Sequence, residues 1–296
     1  MKLASYNDGS RDGQLVVVSR DLKTAHYATG IASRLQHLLD DWGFISPQLQ
    51  DIYDGLNQGR LRHAFAFDPG ACTAPLPRAY GWQGCITETV GADLTPTLNV
   101  WPCDRLRGPA DAATSHANAR EERSAVALAA MLGDVPAFAS ASQALEGVRL
   151  LGTVQLHFAQ GADEQGLALM DTRFAPVAVT PDELQGAWKT GVLDWPLRVS
   201  ARRSGKDSLV PLDARLPSLG PIIEKAARGR ALAAGSSVAS GWWLPEPALQ
   251  AGARELHAAF QAPDGTLPLG AIEPPRPAVT SATAEANPDA RESKAT

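Results

Sequence analysis

The chain has 296 residues, 44% of them hydrophobic and 20% charged, the composition of a globular protein with material for a sizeable core. Its net charge is −5, with both signs mixed along the chain, which disfavours a nucleic-acid surface, since that would need a basic stripe. No run approaches the roughly 18 consecutive apolar residues of a membrane span.

The start, Met1 to Asp8, has no signal-like apolar run. Cys72, Cys85 and Cys103 are an odd number without paired metal-ligand spacing, which implies reduced thiols. A cytoplasmic protein is expected, with neither nucleic-acid nor membrane partners.

Lys2 to Tyr6 and residues 14–19 are apolar-rich runs parted by Asn7-Asp8-Gly9-Ser10-Arg11-Asp12-Gly13, which predicts a β-hairpin. Ile31, Leu35, Leu38, Leu39 and Trp42 then recur at helical spacing. Ser46-Pro47 opens a second predicted helix, with Ser46 as cap and Pro47 in the first turn. Leu49, Ile52, Tyr53 and Leu56 form its apolar stripe. Asp68-Pro69-Gly70 marks a joint to a larger unit.

In that unit, residues 124–132 read as a strand closed by Gly133-Asp134-Val135-Pro136. A short helix over 142–145 precedes strands over 148–158 and 177–179. Thr180-Pro181-Asp182-Glu183 is a capped helix start in which Thr180 caps and Glu183 reaches back. Further strands are expected over 197–201 and 237–240, and Arg202-Arg203-Ser204-Gly205-Lys206 reads as a hairpin tip. The fold class is α+β, mainly β: a hairpin-plus-helices unit over 1–70, a strand-rich unit over 71–273, and a Pro/Ala/Ser/Thr/Glu tail over 274–296 expected to be disordered.

The segment Asp8-Gly9-Ser10-Arg11-Asp12-Gly13-Gln14-Leu15-Val16-Val17-Val18-Ser19-Arg20-Asp21 resembles the leading domain of bacterial fumarylacetoacetate hydrolase-type proteins. The resemblance returns at Ala74-Pro75-Leu76-Pro77-Arg78-Ala79-Tyr80, at Gly133-Asp134-Val135-Pro136, and over residues 143–151 and 176–184. It implies a small α+β domain followed by a β-roll, a homodimer or a heteromer with an active relative, and cleavage of carbon–carbon bonds in β-diketo acids of aromatic catabolism. A carboxylate-held Mg²⁺, Mn²⁺ or Ca²⁺ ion would stabilise the departing enolate, with a histidine activating water and a lysine neutralising charge.

The family's metal ligands include a Glu-x-Glu pair on the strand before the Gly-Asp turn. Counted back from Gly133-Asp134, those positions are Ala125 and Ala127. The family's next aspartate becomes Leu156, its lysine Leu169, and its late threonine Trp242, followed by Trp243. The two tryptophans are expected in space that would otherwise admit a substrate carboxylate, filling it or lining a new pocket. An early aspartate and a histidine-bearing lid belong between Tyr80 and Asp111, which holds Glu88, Asp93 and Asp104 but no histidine.

Replacement residues for a rebuilt site are Glu121 and Glu122 as metal ligands, with His116, His157 and Asp171 as catalytic candidates and Asp163-Glu164 nearby. The bland readings are a solvated strand start, a polar loop histidine and a structural histidine. The expectation is a catalytically impaired or inactive copy, without a cofactor, acting as a binding protein or partner subunit. The alternative is an active hydrolase or lyase on acylpyruvate- or fumarylacetoacetate-type acids, using Mg²⁺ or Mn²⁺ through the rebuilt site. A small 2-keto or β-diketo acid is the expected ligand class.

Overall fold

The computed structural model describes residues 1–88, 97–109, 111, 119–161, 166–184, 186–203, 206–210, 216–245 and 256–273. The expected hairpin forms from β1 (Lys2–Tyr6) and β2 (Gln14–Val18), antiparallel in the register Lys2 with Val18 and Tyr6 with Gln14. β3 (Thr24–Tyr27) adds to β2.

The helical periodicity from Ile31 to Trp42 divides in two. α1 (Leu35–Asp40) ends where Asp41 leaves helical dihedrals, and α2 (Trp42–Asn57) starts at once. Ser46 is therefore not the cap of α2, and Pro47 lies inside the helix. The helix tolerates it because Pro47 deprives only the carbonyl of Gly43 of a donor, and Gly43 is exposed to water. Leu49, Tyr53 and Leu56 are buried as the stripe requires, with Ile52 half-buried.

β4 (Phe65–Ala66) and a 3₁₀ turn over Pro69–Ala71 lead into β5 (Gly81–Thr87), β6 (Asn99–Trp101) and the long β7 (Glu121–Leu132). α3 (Ala141–Glu146) opens on a capping box: Ser140 accepts from the Gln143 N–H while Gln143 returns a bond to the Ser140 N–H. β8 (Val148–Gln160), β9 (Ala168–Phe174) and β10 (Ala178–Val179) follow.

The turn after β10 is a 3₁₀ helix over Pro181–Leu184, and the predicted Thr180–Glu183 box does not form. The Thr180 hydroxyl accepts instead from the Met1 amine. Glu183 accepts from the Tyr53 hydroxyl at 2.6 Å and from Arg20 Nε at 3.0 Å. Charged and phenolic donors from the leading unit displace the weaker local cap.

β11 (Trp188–Lys189), β12 (Val192–Leu193), β13 (Leu197–Arg203) and β14 (Lys206–Val210) continue the chain. Arg203 opposite Lys206 gives the predicted hairpin register. α4 (Leu219–Ala226), β15 (Ser236–Trp243) and β16 (Leu256–Phe260) complete the elements.

Among the described residues, eleven strands form one sheet in the order β4-β3-β2-β1-β10-β8-β7-β15-β5-β6, with β9 also on β8; only β15 with β5 is parallel. The small sheet β14-β13-β16 packs against the β7–β8 side that carries Val126. No described helix is long and apolar enough to cross a membrane. Cys72 and Cys85 are buried thiols and Cys103 is half-buried.

Candidate functional site

Strand alternation decides what meets at the centre of the large sheet. On β7, Ala125 and Ala127 share a face, opposed by Leu156 and Val154 on β8 and by Trp243 and Gly241 on β15. Ala125, Ala127, Leu156 and Val154 are all wholly buried. A Cβ placed at Gly241 would come within 2.5 Å of the Ala127 Cβ, so the two strands already fill the space between them.

Five rings join this face. Trp82 lies 5.2 Å from Trp101 and 5.8 Å from Phe174 between centroids, and Phe158 lies 6.2 Å from Trp101 and 4.8 Å from Trp243. They belong to one apolar cluster with Ala125, Ala127 and Leu156. The Trp82 indole N–H donates to the Thr172 hydroxyl at 3.3 Å. At the rim, the Arg123 guanidinium sits 4.2 Å above the Trp243 ring and pairs with Glu88 at 2.8 Å. Tilted and edge-on ring pairs of this kind add about 1 kcal/mol each beyond the area they bury.

The two tryptophans part company. Trp243 faces the Ala125 side, whereas Trp242 pairs with Val126 on the opposite side of β15, because neighbours on a strand alternate. The Trp242 indole nitrogen is buried without an acceptor among the described residues. Leu169, where the resemblance places a lysine, is half-buried on the Phe158 side. A bulge between β8 and β9 turns Asp171 the other way, opposite His157.

That other side carries several of the candidates picked from sequence. Ser124 Oγ is 3.4 Å from His157 Nδ1, and His157 Nε2 is 3.8 Å from Glu122. Asp171 is buried but held by Arg107, whose Nε donates at 2.7 Å. Arg173 beside it gives an Nη2 bond to the Asp111 carbonyl oxygen at 3.3 Å, and burial draws its guanidinium below the usual range.

Glu121 and Glu122 are exposed at the start of β7. His116, Asp93, Asp163 and Glu164 lie outside the described residues. Among the described residues, no three His, Cys, Asp or Glu side chains gather as a metal centre would require. Hydrocarbon at Ala125, Ala127 and Leu156 does not fit a hard cation, which takes oxygen ligands.

Among the members of these clusters that sequence reasoning did not single out are Trp82, Trp101, Phe174 and Arg107, with Phe158 and Ser124 placed only as strand ends. The first three sit on strands far apart in the chain, and no local period marks their meeting. Arg107 lies just before Gly108, and no local spacing links it to Asp171.

A long β-sheet roll preceded by a hairpin and two helices defines the class of architecture. Residues 1–78 match the family model described as Fumarylacetoacetase N-terminal domain 2. Among solved structures, maleylpyruvate hydrolase from Sphingobium sp. SYK-6, in complex with manganese(II) and pyruvate, is 13% identical over 92% of this chain and 98% of its own, at a TM-score of 0.64. Fumarylacetoacetate hydrolase from the psychrophilic Exiguobacterium antarcticum is 17% identical over 93% and 100%, at 0.61. A probable 2-hydroxyhepta-2,4-diene-1,7-dioate isomerase from Mycobacterium abscessus is 16% identical over 81% and 85%, at 0.57. No curated protein matches the chain in sequence. The leading 78 residues are thus a fumarylacetoacetase-type N-terminal domain, and the chain as a whole has the fumarylacetoacetate hydrolase fold.

Proposed function

We propose that the chain is a catalytically silent copy of this fold, acting as a binding protein or as a partner subunit, as a homodimer or with an active relative. The observation that carries the reading is the filled β7 face: Ala125, Ala127 and Leu156 lie under Trp82, Trp101, Phe158, Phe174 and Trp243. An enolate leaving a β-diketo acid needs a cation or donor to take its charge, and such electrostatic stabilisation is usually the largest part of the rate. Alanine and leucine supply neither ligand nor proton. The reading keeps the leading unit over 1–70, the scaffold unit over 71–273 and the tail over 274–296, in a cytoplasmic protein.

The direct test follows the ultraviolet absorbance of an acylpyruvate or fumarylacetoacetate with Mg²⁺ or Mn²⁺ present, against a chelated control. The expected result is no metal-dependent loss from protein that melts cooperatively. Metal-dependent turnover would overturn the reading.

A second reading has one observation in its favour: Glu122, Ser124, His157 and Asp171 gather on one side of β7–β9. It makes the chain an active hydrolase or lyase on 2-keto or β-diketo acids through a rebuilt site that includes His116 and Glu121. Asp171 speaks against it, since its carboxylate is engaged by Arg107. His157→Gln would abolish turnover under this second reading and change no activity under the first.

A further inference from the structure

A cavity of about 760 Å³ opens between the start of β1, the turn over 19–24, the end of α2 and the loop over 264–268. Its volume is in the range of small-molecule sites. Three cations, Lys2, Arg20 and Lys23, and three carboxylates, Asp21, Glu183 and Asp264, line it. Glu183 holds Arg20 at 3.0 Å and Asp21 holds Lys23 at 3.8 Å. Lys2 differs from both: it is 2% exposed, and its Nζ donates to the backbone carbonyl of Pro268 at 2.9 Å, with no described carboxylate at ion-pair distance. Pro268 lines the same cavity, so this bond fixes the amine at the cavity wall.

A buried ammonium without a counter-ion is costly, and the group sheds its proton more readily instead. Burial brings Lys2 from 10.5 down to about 8, with nearby Arg20 adding to the shift and Glu183, Asp21 and Asp264 opposing it. At pH 7.5 roughly a quarter of such an amine is neutral, against about 0.1% of an ordinary exposed lysine. A neutral amine at the wall of a cavity is the nucleophile that carbonyl compounds meet in Schiff-base sites.

We propose that Lys2 is the reactive amine of a second site, which takes a small carbonyl compound. The Lys2 nitrogen attacks the ligand's ketone or aldehyde carbon and forms a C=N bond. The carbonyl oxygen leaves as water, carrying both hydrogens lost by the neutral amine, and nothing is oxidised or reduced. Asp21, Glu183 and Asp264 balance Arg20 and Lys23 in the lining, so the cavity selects for a reactive carbonyl rather than for negative charge. The site stands apart from the aromatic face of β7 and holds whether or not that face is silent.

The test incubates the full chain with glyoxylate or pyruvate and cyanoborohydride between pH 6.5 and 9. Tandem mass spectra then separate adducts on the Lys2 side chain from those on the Met1 amine and on exposed Lys23 and Lys189. The expected result is labelling of Lys2 at least about tenfold faster than of Lys23 and Lys189, with the rate rising through pH 8. Lys2→Arg keeps a donor for Pro268 and should fold while losing the fast adduct. Equal labelling of the three lysines, an adduct confined to Met1, or no adduct on Lys2 would each overturn the proposal. Since wild-type protein carries the decisive map, failure of the variant to fold leaves the test intact.

Discussion

At the turn after β10, the Glu183 side chain is only 7% exposed, yet Tyr53, Arg20 and the Met1 amine all engage it. On β7, Ala125 and Ala127 are just as buried and touch aliphatic and aromatic carbon. Both regions join strands of the same sheet, and the difference lies in what each does with charge. Where the leading unit meets the rest of the chain, a buried carboxylate persists because the Met1 amine ahead of β1 and donors from the turn after β2 and from α2 surround it. On the β7 face, where the resemblance places a metal, Ala125 and Ala127 are packed among hydrocarbon, in which an unpaired carboxylate would be costly. Polar chemistry stands in the contacts that hold the leading strands and α2 to the turn after β10, and hydrocarbon stands on the β7 face.

The contrast can be broken from its apolar side first. Ala127→Glu forces a carboxylate into the close contact with Gly241. We expect a loss of about 5 kcal/mol in denaturant unfolding, from unpaired charge and overpacking together. A stable variant that Mn²⁺ further stabilises would show that the face still has room for a metal. Phe158→Ala removes a ring from the same cluster and should cost about 4 kcal/mol, read as a lower denaturant midpoint with unchanged slope. A cost under 1 kcal/mol would mean that the rings are loosely packed and the face is not truly filled.

From the polar side, Glu183→Gln leaves Arg20 and the Met1 amine without their carboxylate and should cost about 3 kcal/mol. A neutral result would remove the claim that this cluster fastens the leading unit.

The smallest effect concerns Asp12, which accepts from Arg78 at 2.6 and 2.7 Å and from Arg34 at 2.8 Å. The Arg78 bond holds its carboxyl below the usual range against the opposing effect of partial burial. The folded value is below the unfolded one near 3.9, so the stabilisation is present above that value and is lost as pH falls through the folded value. Both arginines are nearly half exposed, which limits the effect to about 1 kcal/mol at pH 7. Asp12→Asn should show that loss at pH 7, and its difference from wild type should shrink as pH falls through the folded value.

Much of the scaffold was legible because its signals are local. Asn7 to Gly13 between two apolar runs gives the β1–β2 hairpin, and the short helix expected over 142–145 forms as α3, although its Ser140–Gln143 capping box was not read from the sequence. The distance from Ala125 and Ala127 to Gly133-Asp134 runs within one strand, so their shared face could be counted from sequence. The errors arose where tertiary partners outbid local chemistry. Thr180 and Glu183 look like a helix cap, but Met1, Tyr53 and Arg20 claim them from up to 179 residues away. Pro47 looks like a first-turn residue, but an exposed Gly43 carbonyl lets the helix start one turn earlier. The apolar β7 face was half legible. Ala125 and Ala127 could be counted onto one side of a strand, whereas the meeting of Trp82, Trp101 and Phe174 depends on sheet order, and the opposed faces of Leu169 and Asp171 depend on a bulge.

The most direct test of the central claim is Mn²⁺ binding, followed by the electron paramagnetic resonance signal of the free ion as it is titrated into the protein. A silent face predicts that the signal rises with the first additions, with no site tighter than about 1 mM. Stoichiometric loss of the signal, with Ala127→Glu leaving it unchanged, would place a metal centre elsewhere in the fold and contradict the account.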